Sequence, residues 1–165
     1  MSKNLFQKGK KLRIPHEMKM KIINSVVKKL KVKDYFKLKD RMDGVFFLRK
    51  QFRRIYSSYY FEKLHNIKLL NGEKPLFCKT EFEISNERYL VVGTYTPLKI
   101  KIPKKDNISF FLVIKVVEDP ASAEYLGKIS YSKCIEISSG LNLLKSNNVV
   151  NEEPIAVISK MDLVD

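Results

Sequence analysis

The sequence predicts an α+β protein in which a basic N-terminal region of about three helices precedes a five- to six-stranded, mainly antiparallel sheet or small barrel. Two observations predict this class. Apolar residues recur every three or four positions up to about residue 70, which is the period of a helix. After Gly72 and Pro75 they alternate with polar residues, which is the period of a half-buried strand. The strand candidates follow one another without long intervening helices, and this favours antiparallel hairpins.

One compact domain of three parts is expected from the 165 residues. Residues 1–14 contain five basic side chains, no acidic ones and no periodicity, so they are predicted to form a basic flexible arm. Residues 15–70 are predicted to be the basic helical region. Residues 71–165 are predicted to be an antiparallel β region that packs with 15–70.

The first helix is expected over about residues 16–31. Pro15 suits the first turn of a helix, and Glu17 would lie near its positive end. An apolar stripe runs along one side at fourfold spacing, formed by Met18, Ile22, Val26 and Leu30. The polar positions include five lysines, at 19, 21, 28, 29 and 31, so the helix is predicted to be amphipathic with a cationic polar face.

Two further helices are expected before residue 70. Asp34 is a candidate N-cap for a short second helix from Tyr35 to about Met42, and Asp43-Gly44 favours a turn after it. A third helix follows, with a buried stripe formed by Val45, Leu48, Phe52, Ile55 and Tyr59. A neighbouring face carries two basic rows, Arg49 with Arg53 and Lys50 with Arg54. This pattern is compatible with a helix-turn-helix, but it is unusually aromatic for a helix that reads a DNA groove.

The strand candidates lie at residues 77–84, 89–95, 97–102, 108–117, 129–137 and 154–159. The first two flank a turn at 85–88 and predict a hairpin. Residues 108–117 are apolar on both faces, which is typical of a central strand. A short helical turn is expected at 121–126, and residues 138–153 are expected to be mostly loop.

The excess positive charge is confined to the N-terminal part of the chain. The whole chain has a formal net charge of +14, and residues 1–70 alone hold 20 lysines and arginines against five aspartates and glutamates. A/T-rich codon usage would also raise the lysine content, since 26 of the 32 basic residues are lysines, but it would do so along the whole chain. The asymmetry therefore favours a polyanionic partner, and nucleic acid is the first candidate.

The sequence predicts non-catalytic nucleic-acid binding, in which the arm, the first helix and the third helix hold the phosphate backbone. RNA or single strands are favoured because aromatic residues such as Phe46 and Tyr59 accompany the cations and could stack on unpaired bases. The candidate contact residues are Lys8, Lys10, Lys11, Arg13, Lys28, Lys29, Arg49, Lys50, Arg53, Arg54, Tyr59 and Tyr60. The alternative for the aromatic residues is that they form the core between helix and sheet.

No metal, cofactor or catalytic residue is predicted. Cys78 and Cys134 stand alone, and His16 and His65 have no partner at ligand spacing, so a zinc module is nearly excluded. The six glycines are not clustered, so the sequence has no phosphate-binding loop or dinucleotide fingerprint. Two cysteines indicate a reducing compartment, so cytoplasm, nucleoid or nucleus is expected rather than secretion. No long apolar run is present, so no stable membrane insertion is expected.

A non-enzymatic alternative is a structural or regulatory subunit of a larger ribonucleoprotein, viral or secretion assembly. In that case the basic region would insert into the assembly. The strands at 97–102 and 129–137 would then be expected to pair with a protein partner through an exposed edge.

The enzymatic alternative is a small nuclease or toxin-like protein. A metal-dependent nuclease needs converging carboxylates, but Val113 stands two positions before Lys115 where an acidic residue would be required. Glu118 and Asp119 follow at the end of that strand, and the sequence shows no second acidic cluster. A metal-free ribonuclease could be assembled from His65, Arg53 and a tyrosine at 59 or 60.

Overall fold

The computed structural model describes residues 6–104, 107–142 and 154–165, and these form helices followed by strands. The helices are α1 (His16–Lys29), α2 (Tyr35–Lys39), α3 (Met42–His65) and α4 (Tyr131–Asn142), with a 3₁₀ turn at Lys160–Asp162. The strands are β1 (Lys11–Arg13), β2 (Glu81–Ile84), β3 (Glu87–Thr94), β4 (Lys99–Lys101), β5 (Phe110–Glu118), β6 (Ala121–Ser130) and β7 (Ile155–Val157). The predicted α+β class, with helices ahead of a mainly antiparallel sheet, is confirmed.

Five strands form a curled, mixed sheet in the order β1-β6-β5-β3-β2. β2 and β3 form the expected hairpin, and β5 pairs antiparallel with β6. β3 and β5 run parallel, because the chain leaves the sheet between them to form β4 instead of turning back in a tight hairpin. β4 pairs with β7 in a separate two-stranded sheet. One edge of the strand expected at 97–102 is therefore covered by the chain's own β7.

Both faces of the main sheet are buried, and β5 contributes side chains to each. Its Leu112 and Ile114 belong to the core that includes residues of α1 and α3. Its Phe111 and Val113 belong to a second core with residues of α4, β4 and β7. All four side chains are fully buried. Burial on both faces explains why this strand is a continuous apolar run in the sequence.

Helix α1 and the start of α2 agree with the sequence prediction. Ile22 and Val26 of the apolar stripe in α1 are buried in the first core. The Asp34 side chain accepts a hydrogen bond from the Lys37 N–H at 2.9 Å, which is an N-cap interaction. Periodicity and capping chemistry were therefore sufficient to locate α1 and the start of α2.

Helix α3 rests directly on the backbone of β3 at Gly93. A Cβ atom at that position would lie 2.1 Å from the carbonyl oxygen of Arg53. Ser57, one turn further along α3, donates its hydroxyl to that same oxygen at 2.6 Å. Only glycine lets the helix and the strand approach so closely.

The predicted turn at Asp43-Gly44 is wrong, because both residues lie in the first turn of α3. The second helix ends earlier than expected, at Lys39. A Cβ atom at Gly44 would lie 2.7 Å from Cδ1 of Leu38, so this glycine permits close packing of α2 on α3. A glycine that permits close packing and a glycine that forms a turn look alike in a sequence.

The described part of the N-terminal segment, residues 6–14, does not form the free arm that its composition suggested. Phe6 is buried, with its ring edge-on to those of Phe61 and His65 at centroid distances of 5.3 and 5.2 Å. β1 adds an edge strand to β6. A single buried ring and three paired residues hold the segment, and neither produces a periodic pattern.

Two expectations near residue 130 are wrong. Residues 121–126, expected to form a helical turn, belong to β6, which pairs along β5. Residues 129–137, expected to be a strand, lie mostly in α4. The Ser130 hydroxyl oxygen accepts the Lys133 N–H at 3.2 Å and so begins the helix. The strand edge that this segment was expected to offer to a protein partner is therefore missing.

The C-terminal part agrees with the prediction only at β7, which lies within the expected strand at 154–159. Of the loop expected at 138–153, residues 138–142 form the end of α4, and the remainder lies outside the described residues. In the three described ranges, no helix combines the length and the apolar character that crossing a bilayer requires.

Gly93→Ala is expected to destabilise the fold by about 3 kcal/mol, because the added methyl group would overlap the Arg53 carbonyl and push α3 off the sheet. Gly72→Ala is the matched control, since no atom lies within 4 Å of the Cβ position there. Urea unfolding of both variants measures the difference. Equal stability of the two would contradict a close helix–strand crossing.

Acidification is expected to destabilise the protein through His65. Burial lowers the pKa of His65, and Lys10 lowers it further, so the unfolded chain takes up the imidazole proton first. The contribution to the free energy of unfolding is therefore complete above about pH 6.5 and is lost as pH falls. Urea unfolding between pH 7.5 and pH 5 should show this slope in wild type and in the exposed-site control His16→Gln. A slope that persists in His65→Gln would assign it to another group.

Candidate nucleic-acid interface

Two arginines of α3 lie side by side over the ring of Tyr95. The guanidinium carbons of Arg49 and Arg53 are 4.7 and 5.6 Å from the ring centroid. The two arginines are one helical turn apart and so share a side of α3. Tyr95 lies two residues beyond Gly93, where the chain contacts the helix. The crossing at Gly93 thus brings the basic row onto an aromatic face, where cation–π attraction favours it.

Glu118 at the end of β5 fixes the ring beneath the arginines. The Tyr95 hydroxyl donates a hydrogen bond to Glu118 Oε1 at 2.7 Å, and the Arg49 Nε lies 3.5 Å from the same oxygen. Burial raises the pKa of Tyr95, and the hydrogen bond to Glu118 raises it further. The phenol therefore stays protonated at neutral pH and remains a donor.

A groove of about 240 Å³ opens beside the Tyr95 ring. We call it the arginine groove, and it is lined by Phe46, Arg49, Arg53, Thr94, Tyr95, Thr96, Pro97 and Lys99. Lys99 comes from β4, which the chain forms on its way from β3 to β5. Phe46 comes from the N-terminal part of α3, and 64% of its surface is exposed. The groove thus joins cations from two elements with an exposed aromatic ring.

Lys19 of α1 continues the positive surface beyond Glu118. Its ammonium group donates to the backbone carbonyl of Glu118 at 3.2 Å. Lys19 also lines a neighbouring depression together with Arg13 and His16. Arg49 contacts the Glu118 carboxylate, whereas Arg53 and Lys99 line the arginine groove. These three cations and Lys19 outnumber the two carboxylates of Glu118 and Asp119, so the surface is positive, which favours an anionic ligand.

The second basic row of α3 does not line the arginine groove. Arg54 donates instead to the side-chain oxygen of the buried Gln51 at 3.3 Å, and Lys50 is exposed elsewhere on the helix. Lys28 and Lys29 are exposed at the end of α1, where the Lys29 ammonium group lies 5.3 Å from the centroid of the Phe47 ring. The structure therefore does not bring these four predicted cations together with Arg49 and Arg53.

The predicted cations of the N-terminal segment are also spread out. The Lys8 ammonium group lies 3.4 Å from the Asp165 carboxylate. Lys10, Lys11 and Arg13 are exposed along the segment that pairs with β6. Of these four cations, Arg13 lines the depression next to the arginine groove that Lys19 also lines, in the part of the chain that the structure describes.

The two predicted stacking tyrosines do not lie in the groove. The prediction is wrong for Tyr60, because this side chain is fully buried and its hydroxyl donates to the Lys10 carbonyl at 2.7 Å. Tyr59 is half-buried against the first core, with the Lys63 ammonium group 5.6 Å from its ring centroid. Tyr60 thus follows the alternative interpretation, in which the aromatic residues of α3 form the core.

Sequence reasoning missed Lys19, Tyr95 and Lys99 as members of the site. Lys99 appeared as the polar residue of an alternating strand, and Tyr95 as the end of a hairpin. No local pattern links them to Arg49, because only the crossing at Gly93 and the excursion through β4 bring them together.

The described residues do not bring metal ligands or a cysteine thiol to the arginine groove. In the part of the chain that the structure describes, no three His, Cys, Asp or Glu side chains come together as metal ligands. Cys134 is buried in the second core, and burial raises the pKa of its thiol to about 12. Neither Cys134 nor the half-buried Cys78 lines the arginine groove.

Comparison with protein-family models, with curated proteins and with solved structures gives no match. The function is therefore inferred from the residues of the arginine groove themselves.

Proposed function

We propose that the protein binds nucleic acid without acting on it, and that the arginine groove holds the phosphate backbone. The observation that carries this proposal is the pair of guanidinium groups, Arg49 and Arg53, arranged over the Tyr95 ring. Guanidinium groups match the oxygens of a phosphate in paired hydrogen bonds. Because Arg49 and Arg53 are one helical turn apart, both can donate hydrogen bonds to the phosphates of one polyanionic chain.

The aromatic ring and Glu118 favour binding by restraining the arginines beforehand. Ordering a long, free side chain on binding costs about 0.5–1.5 kcal/mol. Arg49 is held before binding by the Tyr95 ring and by the Glu118 carboxylate, so it loses less freedom. Lys19 and Lys99 extend the positive surface from α1 and β4. A backbone laid across the groove would meet cations of α3 and β4, and Lys19 of α1 lies beyond them at Glu118.

Replacing both arginines by glutamine is expected to weaken nucleic-acid binding and its salt dependence. Each phosphate contact releases bound counterions, so the slope of log affinity against log salt should fall by about two in Arg49→Gln/Arg53→Gln. Fluorescence anisotropy with labelled single- and double-stranded RNA and DNA, at several salt concentrations, measures affinity and slope together.

The matched control is Lys63→Gln/Lys74→Gln. It removes the same charge and also two cation–ring contacts, with Tyr59 and Phe77, at centroid distances of 5.6 and 5.4 Å. Lys63 lies about 15 Å along α3 from Arg53. An equal loss in both double variants would show that only net charge matters. No binding by wild type at low salt would overturn the proposal.

A metal-free ribonuclease is a second candidate because Glu118 could act as a general base beside Arg49. Glu118→Gln separates the two functions. In a binding protein the variant should still bind within about fivefold of wild type, because the amide oxygen can still accept the Tyr95 hydrogen bond and the lost restraint of Arg49 offsets the lost negative charge. In a nuclease it should abolish strand cleavage, which gel analysis of labelled RNA in the presence of EDTA detects. Cleavage by wild type that the variant loses would replace our proposal by the catalytic one.

A further inference from the structure

We propose that the arginine groove takes an unpaired strand and that Phe46 is the surface on which one of its bases stacks. This inference rests on the proposed function and names the form of nucleic acid that the groove selects. It assigns a role to an aromatic ring that the fold leaves in contact with water.

Phe46 is placed for a ligand rather than for the core. Its side chain is 64% exposed and is part of neither core cluster. In the described ranges no other aromatic ring makes a stacking or edge contact with it, whereas Phe6, Phe52 and Phe61 all have such partners. It lines the groove one turn before Arg49. Single exposed phenylalanines are common on protein surfaces and do not by themselves indicate a ligand. The Phe46 ring, however, lines the same concave surface as two guanidinium groups.

The combination of ring and cations favours an unpaired strand over a duplex. The cations can contact phosphates of either form, because phosphate contacts carry no information about pairing. In a duplex the base faces are already stacked on each other, so the Phe46 ring would remain uncovered.

Another exposed phenylalanine, Phe77, provides an internal comparison. Phe77 is 61% exposed, nearly the same as Phe46, and has the Lys74 ammonium group over its ring. It lines a different, mainly apolar depression between α1 and residues 70–77, which contains no arginine. Phe77 therefore reproduces the exposure and the cation–ring contact of the groove without its paired guanidinium groups.

The chain contains no tryptophan, so Phe46→Trp creates a single fluorescent reporter at the proposed stacking position. Short oligouridylate and oligothymidylate should quench its emission, with a midpoint equal to the dissociation constant from anisotropy. A duplex of the same length should bind with little quenching. Phe77→Trp is the control, and its emission should not change with any of these ligands.

The affinity test uses Phe46→Ala, with Phe77→Ala as control and circular dichroism to verify folding. Loss of one base–ring stack should weaken single-strand binding about tenfold and leave duplex binding within about twofold. Phe77→Ala should change neither.

The outcomes separate this inference from the function on which it rests. Nucleic-acid binding by wild type, with no quenching in Phe46→Trp and no loss of affinity in Phe46→Ala, would overturn the stacking role and leave the binding function in place. No binding of any nucleic acid would overturn both. A blue shift of the Phe46→Trp emission with vesicles of equal phosphatidylglycerol and phosphatidylcholine, without oligonucleotide quenching, would assign the ring to a membrane surface and overturn the inference.

Discussion

The contact between the Arg53 carbonyl of α3 and Gly93 of β3 sets the position of most other elements. Without a side chain at Gly93, the helix axis can lie close enough to the sheet for its apolar stripe to enter the first core. The same contact fixes the height and rotation of α3 over β3. Its basic row on one side and its buried aromatic residues on the other follow from that rotation.

The two buried faces of the sheet determine where charge can lie. Helices α1 and α3 contribute to one core, and α4, β4 and β7 contribute to the other. Burying an unpaired cation in either core would cost several kcal/mol, so the lysines and arginines lie on outer surfaces and at the junctions between layers. The excursion through β4 creates one such junction, where Lys99 comes next to the arginine row. The topology that makes β3 and β5 parallel thus also creates the arginine groove.

Positive charge alone does not distinguish this groove from the rest of the N-terminal half. Exposed lysines occur on α1, on α2 and along residues 8–11. In the arginine groove, two guanidinium groups lie over an aromatic ring, a carboxylate also holds Arg49, and an exposed ring lies beside them. Restraint lowers the entropy lost on binding, and the mixed chemistry suits a ligand with both phosphates and bases.

The sequence alone was sufficient for elements whose signal is local. The period of α1 and α3, the cap at Asp34, the β2–β3 hairpin and the apolar central strand β5 were all readable, because hydrophobic periodicity and capping act between residues a few positions apart. The pairing of Arg49 with Arg53 on one side of α3 was readable for the same reason. These are the parts of the fold and the site that the sequence determined.

Tertiary structure decided what depends on contacts between distant residues. It placed Phe6 in an aromatic cluster, turned residues 131–142 into a helix, and used Gly44 for packing where a turn was expected. It also removed Tyr60 from the site and added Lys19, Tyr95 and Lys99 to it. The physical reason is that burial and close approach are settled between elements and leave no repeating pattern along the chain.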